Sequence, residues 1–89
     1  MGKYKLILKK SVLKDLRSIP RKDVVRIIKC LDKLMNDPRP PGCEKLSGQE
    51  RYRIRQGLYR IIYEINDDVL MVVVVKAGQR TWRKRHRDN

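Results

Sequence analysis

Residues 51–65 constrain this chain more than any other segment. They read Arg51-Tyr52-Arg53-Ile54-Arg55-Gln56-Gly57-Leu58-Tyr59-Arg60-Ile61-Ile62-Tyr63-Glu64-Ile65, with apolar and charged residues alternating on both sides of a glycine. Successive side chains of a strand point to opposite faces, so this alternation predicts two half-buried strands joined by a tight turn. With Gln56-Gly57 as a two-residue loop, Arg55 pairs with Leu58 and Arg53 sits opposite Arg60. Like charges facing each other across a ladder destabilise a sheet on its own. An external anion between them removes that cost, so the hairpin points to a phosphate-rich partner.

The flanking segments supply helices and further strands. Lys3 to Lys9 alternates loosely and reads as a first strand, with Tyr4, Leu6 and Leu8 on one face. Ser11 is placed to cap a short helix whose Val12, Leu13, Leu16 and Ile19 share a side, and Pro20 interrupts it. A longer helix is predicted from about Arg21 to Asn36, with Val24, Ile27, Ile28, Leu31, Leu34 and Met35 as its apolar stripe. Asp37-Pro38-Arg39-Pro40-Pro41-Gly42 cannot continue a helix and reads as a loop. The hairpin strands are expected at about Arg51–Arg55 and Leu58–Asn66, with Tyr59, Ile61, Tyr63 and Ile65 toward the helices. Arg53, Arg55 and Arg60 then share the opposite, open face. Asn66-Asp67-Asp68 is a turn, and Val69 to Val75 is apolar on both faces, as expected of a strand covered on both sides, interior to the sheet or beside packed helices. The predicted class is α+β in the order β-α-α-β-β-β, with two N-terminal helices packed on a mostly antiparallel four-stranded sheet.

The 89 residues suit one domain, spanning 1–89 and ending in a basic tail from about residue 79. The net charge of +13 and pI near 10.3 are the electrostatic footprint of a nucleic-acid binder, although docking on an acidic protein also fits. Cys30 and Cys43 have no metal-site spacing. Cys30 falls on the inner side of the long helix, and two reduced thiols are favoured over a disulfide. With a single histidine, no metal site and no cofactor is expected. No segment is long and apolar enough for a membrane span or a signal peptide, which points to a soluble, cytoplasmic protein with no membrane partner.

The tail runs Gln79-Arg80-Thr81-Trp82-Arg83-Lys84-Arg85-His86-Arg87. Its cations can contact phosphate, and Trp82 can stack on an unpaired base for about 1–3 kcal/mol. A solvated basic extension is the simpler reading, and Trp82 could equally fold back on the core. The arginines around His86 lower its pKa and favour neutral imidazole, a possible proton acceptor.

Tyr52-Arg53-Ile54-Arg55-x-Gly57-x-Tyr59-Arg60-Ile61-Ile62-Tyr63-Glu64-Ile65, the acidic turn, the valine-rich strand and Lys76-Ala77-Gly78-Gln79-Arg80 together resemble the RelE/ParE toxin superfamily of toxin–antitoxin systems. Leu13-Lys14-Asp15-Leu16, Ile19-Pro20 and Lys45-Leu46-Ser47-Gly48 fit the same pattern, so the likeness covers nearly the whole chain. For RelE-like members it implies a metal-independent endoribonuclease that cleaves messenger RNA in the ribosomal A site by 2′-hydroxyl attack on the adjacent phosphate. The resemblance assigns transition-state stabilisation to Arg60 and Arg80, and RNA holding to Arg53 and Arg55. Arginine stays protonated, so these two clamp rather than abstract a proton. The tail departs from the family: Gln79 stands where many relatives have histidine, and no tyrosine follows Tyr63. His86 lies close to the position of that tyrosine and is taken as its replacement in acid–base catalysis, with Trp82, Arg83, Lys84 and Arg85 binding RNA.

The implied partners are the ribosome and messenger, together with an acidic RelB-like antitoxin encoded alongside, and operator DNA only through the antitoxin complex. Two other functions fit the family: a ParE-like inhibitor of DNA gyrase, and an inactive homologue that represses its own operator together with the antitoxin. The arginine cluster favours the nuclease, because a gyrase binder needs no such cluster.

Overall fold

The computed structural model describes residues 3–46, 48 and 50–79. Arg80, Trp82, Arg83, Lys84, Arg85 and His86, to which the sequence assigned catalytic or RNA-binding roles, lie outside the described residues. The elements run β1 (Lys5–Leu8), α1 (Lys10–Arg17), α2 (Arg21–Asn36), β2 (Glu44–Lys45), β3 (Arg51–Gln56), β4 (Tyr59–Asn66) and β5 (Met71–Gln79). The strands form one sheet in the order β1-β5-β4-β3-β2, antiparallel except for the β1–β5 pair. This is the expected α+β arrangement with a fifth, two-residue strand added at the β3 edge. β2 is too short to show any periodicity, so only its pairing with Tyr52 and Arg53 reveals it.

Each helix ends for a local reason. α1 stops at Arg17: the Ser18 N–H bonds the Asp15 carbonyl, the Ser18 hydroxyl donates to the same oxygen at 2.8 Å, and Ile19 is forced from helical geometry by Pro20. Its N-cap is Lys9, with no side-chain capping bond, so Ser11 does not cap it as expected. The chain reaches α1 directly from β1, where the Lys9 N–H is held by the Val74 carbonyl at 3.2 Å. That bond sets the helix start two residues earlier than side-chain chemistry suggested. α2 spans the expected residues and stops at Asp37, which takes the extended conformation that a following proline imposes.

The core lies between the helices and one face of the sheet. Val12, Ile27, Leu31 and Leu34 meet Ile61, Tyr63, Val72 and Val74, all almost wholly buried. Cys30 joins this core, and both cysteines are free thiols. Leu13 and Ile28, expected on the inner stripes, are instead about half exposed. Each lies next in sequence to a more central side chain, Val12 or Ile27, and only one of the two can point straight inward.

The hairpin turn differs from expectation by one residue. Gln56 pairs with Tyr59, so the two loop residues are Gly57 and Leu58. Gly57 has φ +60°, the left-handed value that a two-residue hairpin turn demands at its first central position. Arg55 therefore faces Arg60, and Arg53 faces Ile62. Pairing moves by two positions along the ladder, so every side chain keeps its expected face. β5 begins at Met71 rather than Val69. The Asn66 side chain accepts from the Asp68 and Val69 N–H groups and holds residues 67–70 in a turn, leaving Val69 and Leu70 exposed.

A bulge at Val75 then shifts the β4–β5 register. Burial follows Val72 and Val74 but resumes at Ala77, because the extra residue reverses the alternation. β5 is interior to the sheet as expected, between β1 and β4.

A brace at the end of the sheet remote from the hairpin turn fixes the loop after α2. Tyr63, fully buried, donates its hydroxyl to the Pro38 carbonyl at 2.7 Å, and its ring stacks on Tyr52 with centroids 5.9 Å apart. Burial pushes the Tyr63 phenol well above its usual pKa. Arg39 lies 5.2 Å over the Tyr52 ring and grips Asp67 through two nitrogens, at 3.0 and 3.4 Å, while Tyr4 donates to Asp67 at 2.8 Å. Replacing Tyr63 with Phe leaves the buried Pro38 carbonyl unsatisfied at a cost of about 1–3 kcal/mol. The melting temperature in a calorimetric scan is expected to fall by several degrees, since about 1 kcal/mol moves Tm by about 4–8 °C in a domain of this size.

Candidate nucleic-acid interface

The face of the sheet turned away from the helices carries the hairpin cations. Tyr52 and Ile54 of β3 point to the core, so Arg51, Arg53 and Arg55 project from the other side. On β4 the same argument puts Arg60, Ile62 and Glu64 on that side, and after the bulge Lys76 stands beside Ile62 and Gly78 beside Arg60. The three hairpin arginines expected to share this face, Arg53, Arg55 and Arg60, are thus brought together by the fold.

Two acids on this face each hold one of its arginines. Arg51 donates to Glu64 at 2.8 Å directly across the ladder. Arg53 donates through Nε and Nη2 to Glu44 Oε1, at 3.2 and 2.7 Å. The Arg53 hydrogen bonds and charge, with a smaller contribution from Arg55, hold the Glu44 carboxyl below the usual range. Arg55 is exposed and makes no ion pair among the described residues. It stands opposite Arg60, whose Nε is sheltered from solvent. At the hairpin end of the sheet, cationic charge is therefore concentrated and fixed by backbone pairing, an arrangement suited to an anion.

Glu44 was not legible in the sequence as part of the site. It joins the face only because β2 adds two residues to the sheet edge, and seven positions separate it from the start of the arginine-rich strand. Its lowered pKa makes it a poor proton acceptor and a good holder of Arg53. On the helix side of the same end, a cleft of about 490 Å³ opens between α1 and the end of β5. Tyr59 lines it and donates to Asp23 at 2.9 Å, a bond that raises the Tyr59 pKa. Among the described residues no group of three or more His, Cys, Asp or Glu could hold a metal ion, and no helix is long and apolar enough to cross a membrane.

This fold recurs in known proteins. Residues 6–82 match the family model described as the ParE toxin of type II toxin–antitoxin systems, parDE. The chain belongs to this toxin family. Its relatives extend across the wider RelE/ParE superfamily: it is 27% identical over 82 residues to the RelE1 protein of Methanocaldococcus jannaschii, covering 88% of this chain and 91% of that one. The RelE–RelB complex of Pyrococcus horikoshii superimposes with a TM-score of 0.79 at 31% identity, over 86% of this chain and 94% of that one. The intact RelBE complex of Escherichia coli gives a TM-score of 0.75 at 26% identity, over 85% and 95%. The match to the family runs from Leu6 in β1 past the end of β5 and so spans the hairpin.

Substituting Glu44 with Gln removes the charge that holds Arg53 and is expected to raise affinity for a short RNA oligonucleotide about two- to fivefold, the scale of an exposed ion pair. Fluorescence anisotropy at fixed salt measures it. Because the Glu44 pKa is lowered, the pair is complete at neutral pH and is lost only as pH falls through that lowered value, below the usual ~4.3 for Glu. In wild type the same gain in affinity is therefore absent at pH 6–8.

Proposed function

We propose that this protein is a ribosome-dependent endoribonuclease that cleaves messenger RNA in the A site and thereby inhibits translation. The observation that carries the reading is Arg55 opposite Arg60 on an open sheet face, with Arg53 on the same face beside Glu44. In this chemistry the messenger's 2′-oxygen forms a bond to the adjacent phosphorus while the bond to the 5′-oxygen of the next nucleotide breaks. The 2′-hydroxyl gives up its proton and the leaving oxygen receives one. Negative charge builds on the phosphoryl oxygens between these events, and a preorganised cation stabilises it by several kcal/mol.

Arg60 supplies that charge from β4, and Arg80 adds a second guanidinium just past β5. Arg53 and Arg55 hold the flanking phosphates, with Glu44 displaced from Arg53 as RNA enters. None of the arginines transfers the proton, because a guanidinium stays protonated at neutral pH. His86 takes that role, while Trp82, Arg83, Lys84 and Arg85 grip the RNA. The reaction requires no metal.

An acidic RelB-like antitoxin, such as the partners seen with the Pyrococcus and Escherichia relatives, wraps this +13 chain and covers its arginines. The second reading is inhibition of DNA gyrase, favoured by the family model's own description as the toxin of parDE.

A reconstituted translation reaction tests the proposal, comparing wild type with Arg60→Ala, Arg80→Ala and His86→Ala against ribosome-free RNA. Expected are cuts in codon phase that need ribosomes and drop at least about a hundredfold with either arginine removed, as when an oxyanion-hole donor is lost. Intact messenger in every lane, with loss of supercoiling activity when gyrase is added instead, would establish the second reading.

A further inference from the structure

The cations of α2 form a second row, distinct from the hairpin face. Lys22, Arg26, Lys29 and Lys33 follow one another at spacings of four, three and four residues, and all are exposed. At 3.6 residues per turn they fall within an arc of about 60° and extend along about 16 Å of helix. Among the described residues none of them forms an ion pair. Asp23, the acid within the first turn, is engaged by Tyr59. Like charges at these spacings repel and weaken a helix by a few tenths of a kcal/mol per pair. The row continues onto the sheet edge, because Arg26, Lys29 and Lys33 line a shallow groove of about 400 Å³ whose far wall includes Ile54 and Arg55.

We propose that this row is a track for the phosphate backbone of double-stranded RNA. A strand of B-form DNA presents a phosphate about every 3.4 Å along its axis and the A-form of RNA packs them closer, so the row spans at least about five of them. A-form RNA is recognised largely through its backbone and shape, which needs regularly placed cations and no apolar anchor. The row contains no apolar side chain. The exposed apolar residues of α2, Val25 and Ile28, lie on its other flank beside Asp32. An amphipathic acidic peptide would seat there, whereas a bare phosphate row fits the basic flank. The choice of RNA over DNA rests on the function proposed above. The track adds to that function a grip on folded RNA, separate from the strand held at Arg60.

The test measures anisotropy of a labelled short RNA duplex against salt, between about 50 and 200 mM, for the full chain. K22Q/R26Q/K29Q/K33Q is compared with a charge-matched K3Q/K5Q/K9Q/K10Q variant. The first is expected to bind about tenfold or more weakly, and its log–log salt slope should flatten by about 3.6, or 0.9 for each of four contacts. The charge-matched variant should lose less than about threefold. R26Q/K29Q provides a milder variant with half the slope change, and thermal melting monitored by circular dichroism reports whether either is folded. Equal losses in the charge-matched variant would overturn the track in favour of general attraction. A matching DNA duplex bound as tightly, and weakened as much, would overturn the assignment to RNA. Unchanged duplex binding with weakened binding of a poly-glutamate peptide would assign the row to an acidic protein and overturn it as well. Arg60→Ala should leave duplex affinity unchanged, so failure of messenger cleavage and failure of the track are read separately.

Discussion

The packing of β4 against the two helices decides which side chains reach the open face. Ile61 and Tyr63 are completely buried and Tyr59 nearly so, and all three lie on the helix side of the strand. Strand geometry then sends Arg60, Ile62 and Glu64 to the other side, and backbone pairing with β3 places Arg51, Arg53 and Arg55 beside them. A one-residue slip would bury Arg60 and expose Tyr63, exchanging a large hydrophobic gain for an uncompensated buried charge. Core and site are thus two faces of one constraint.

Electrostatics sets the working state of that surface. A chain of net charge +13 repels itself, and the fold relieves part of this locally: Glu64 holds Arg51, Glu44 holds Arg53, and Asp67 holds Arg39. The first two pairs lie on the sheet face and the third braces the loop after α2. Arg55 and the cations Arg26, Lys29 and Lys33 of α2 lie outside these pairs, on adjoining surfaces joined by one groove. A polyanionic partner that covers them neutralises the self-repulsion and stabilises a small domain with a thin margin.

Much of this was legible because long periodic segments carry their own evidence. The bounds of α2, the inward set on β4, the outward set of arginines, the interior position of β5 and the burial of Cys30 all followed from spacing. What escaped was short, or depended on residues far apart in the chain. The two residues of β2 gain strand character only from β3, and Glu44 enters the site with them. Arg39 reads as a loop cation among prolines, yet it links Tyr52 and Asp67 across 13 and 28 residues of sequence. Ser11 has the chemistry of a cap, but a backbone bond from Lys9 to β5 fixes where α1 begins. The hairpin loop lies one residue beyond Gln56-Gly57, although Gly57 itself carried the answer in its capacity for positive φ.

The sequence by itself determined the α+β class, the sidedness of the hairpin, the concentration of positive charge and the resemblance to the toxin superfamily. The first three are written in periodicity or composition, which local physics reads directly, and the resemblance rests on the particular residues of the hairpin and its flanking segments. Only the tertiary structure decided which arginines face each other, which are tied by acids and how the bulge at Val75 brings Lys76 and Gly78 alongside the arginine face. Those outcomes depend on register and on pairings between distant segments, and their energies arise only when the strands meet.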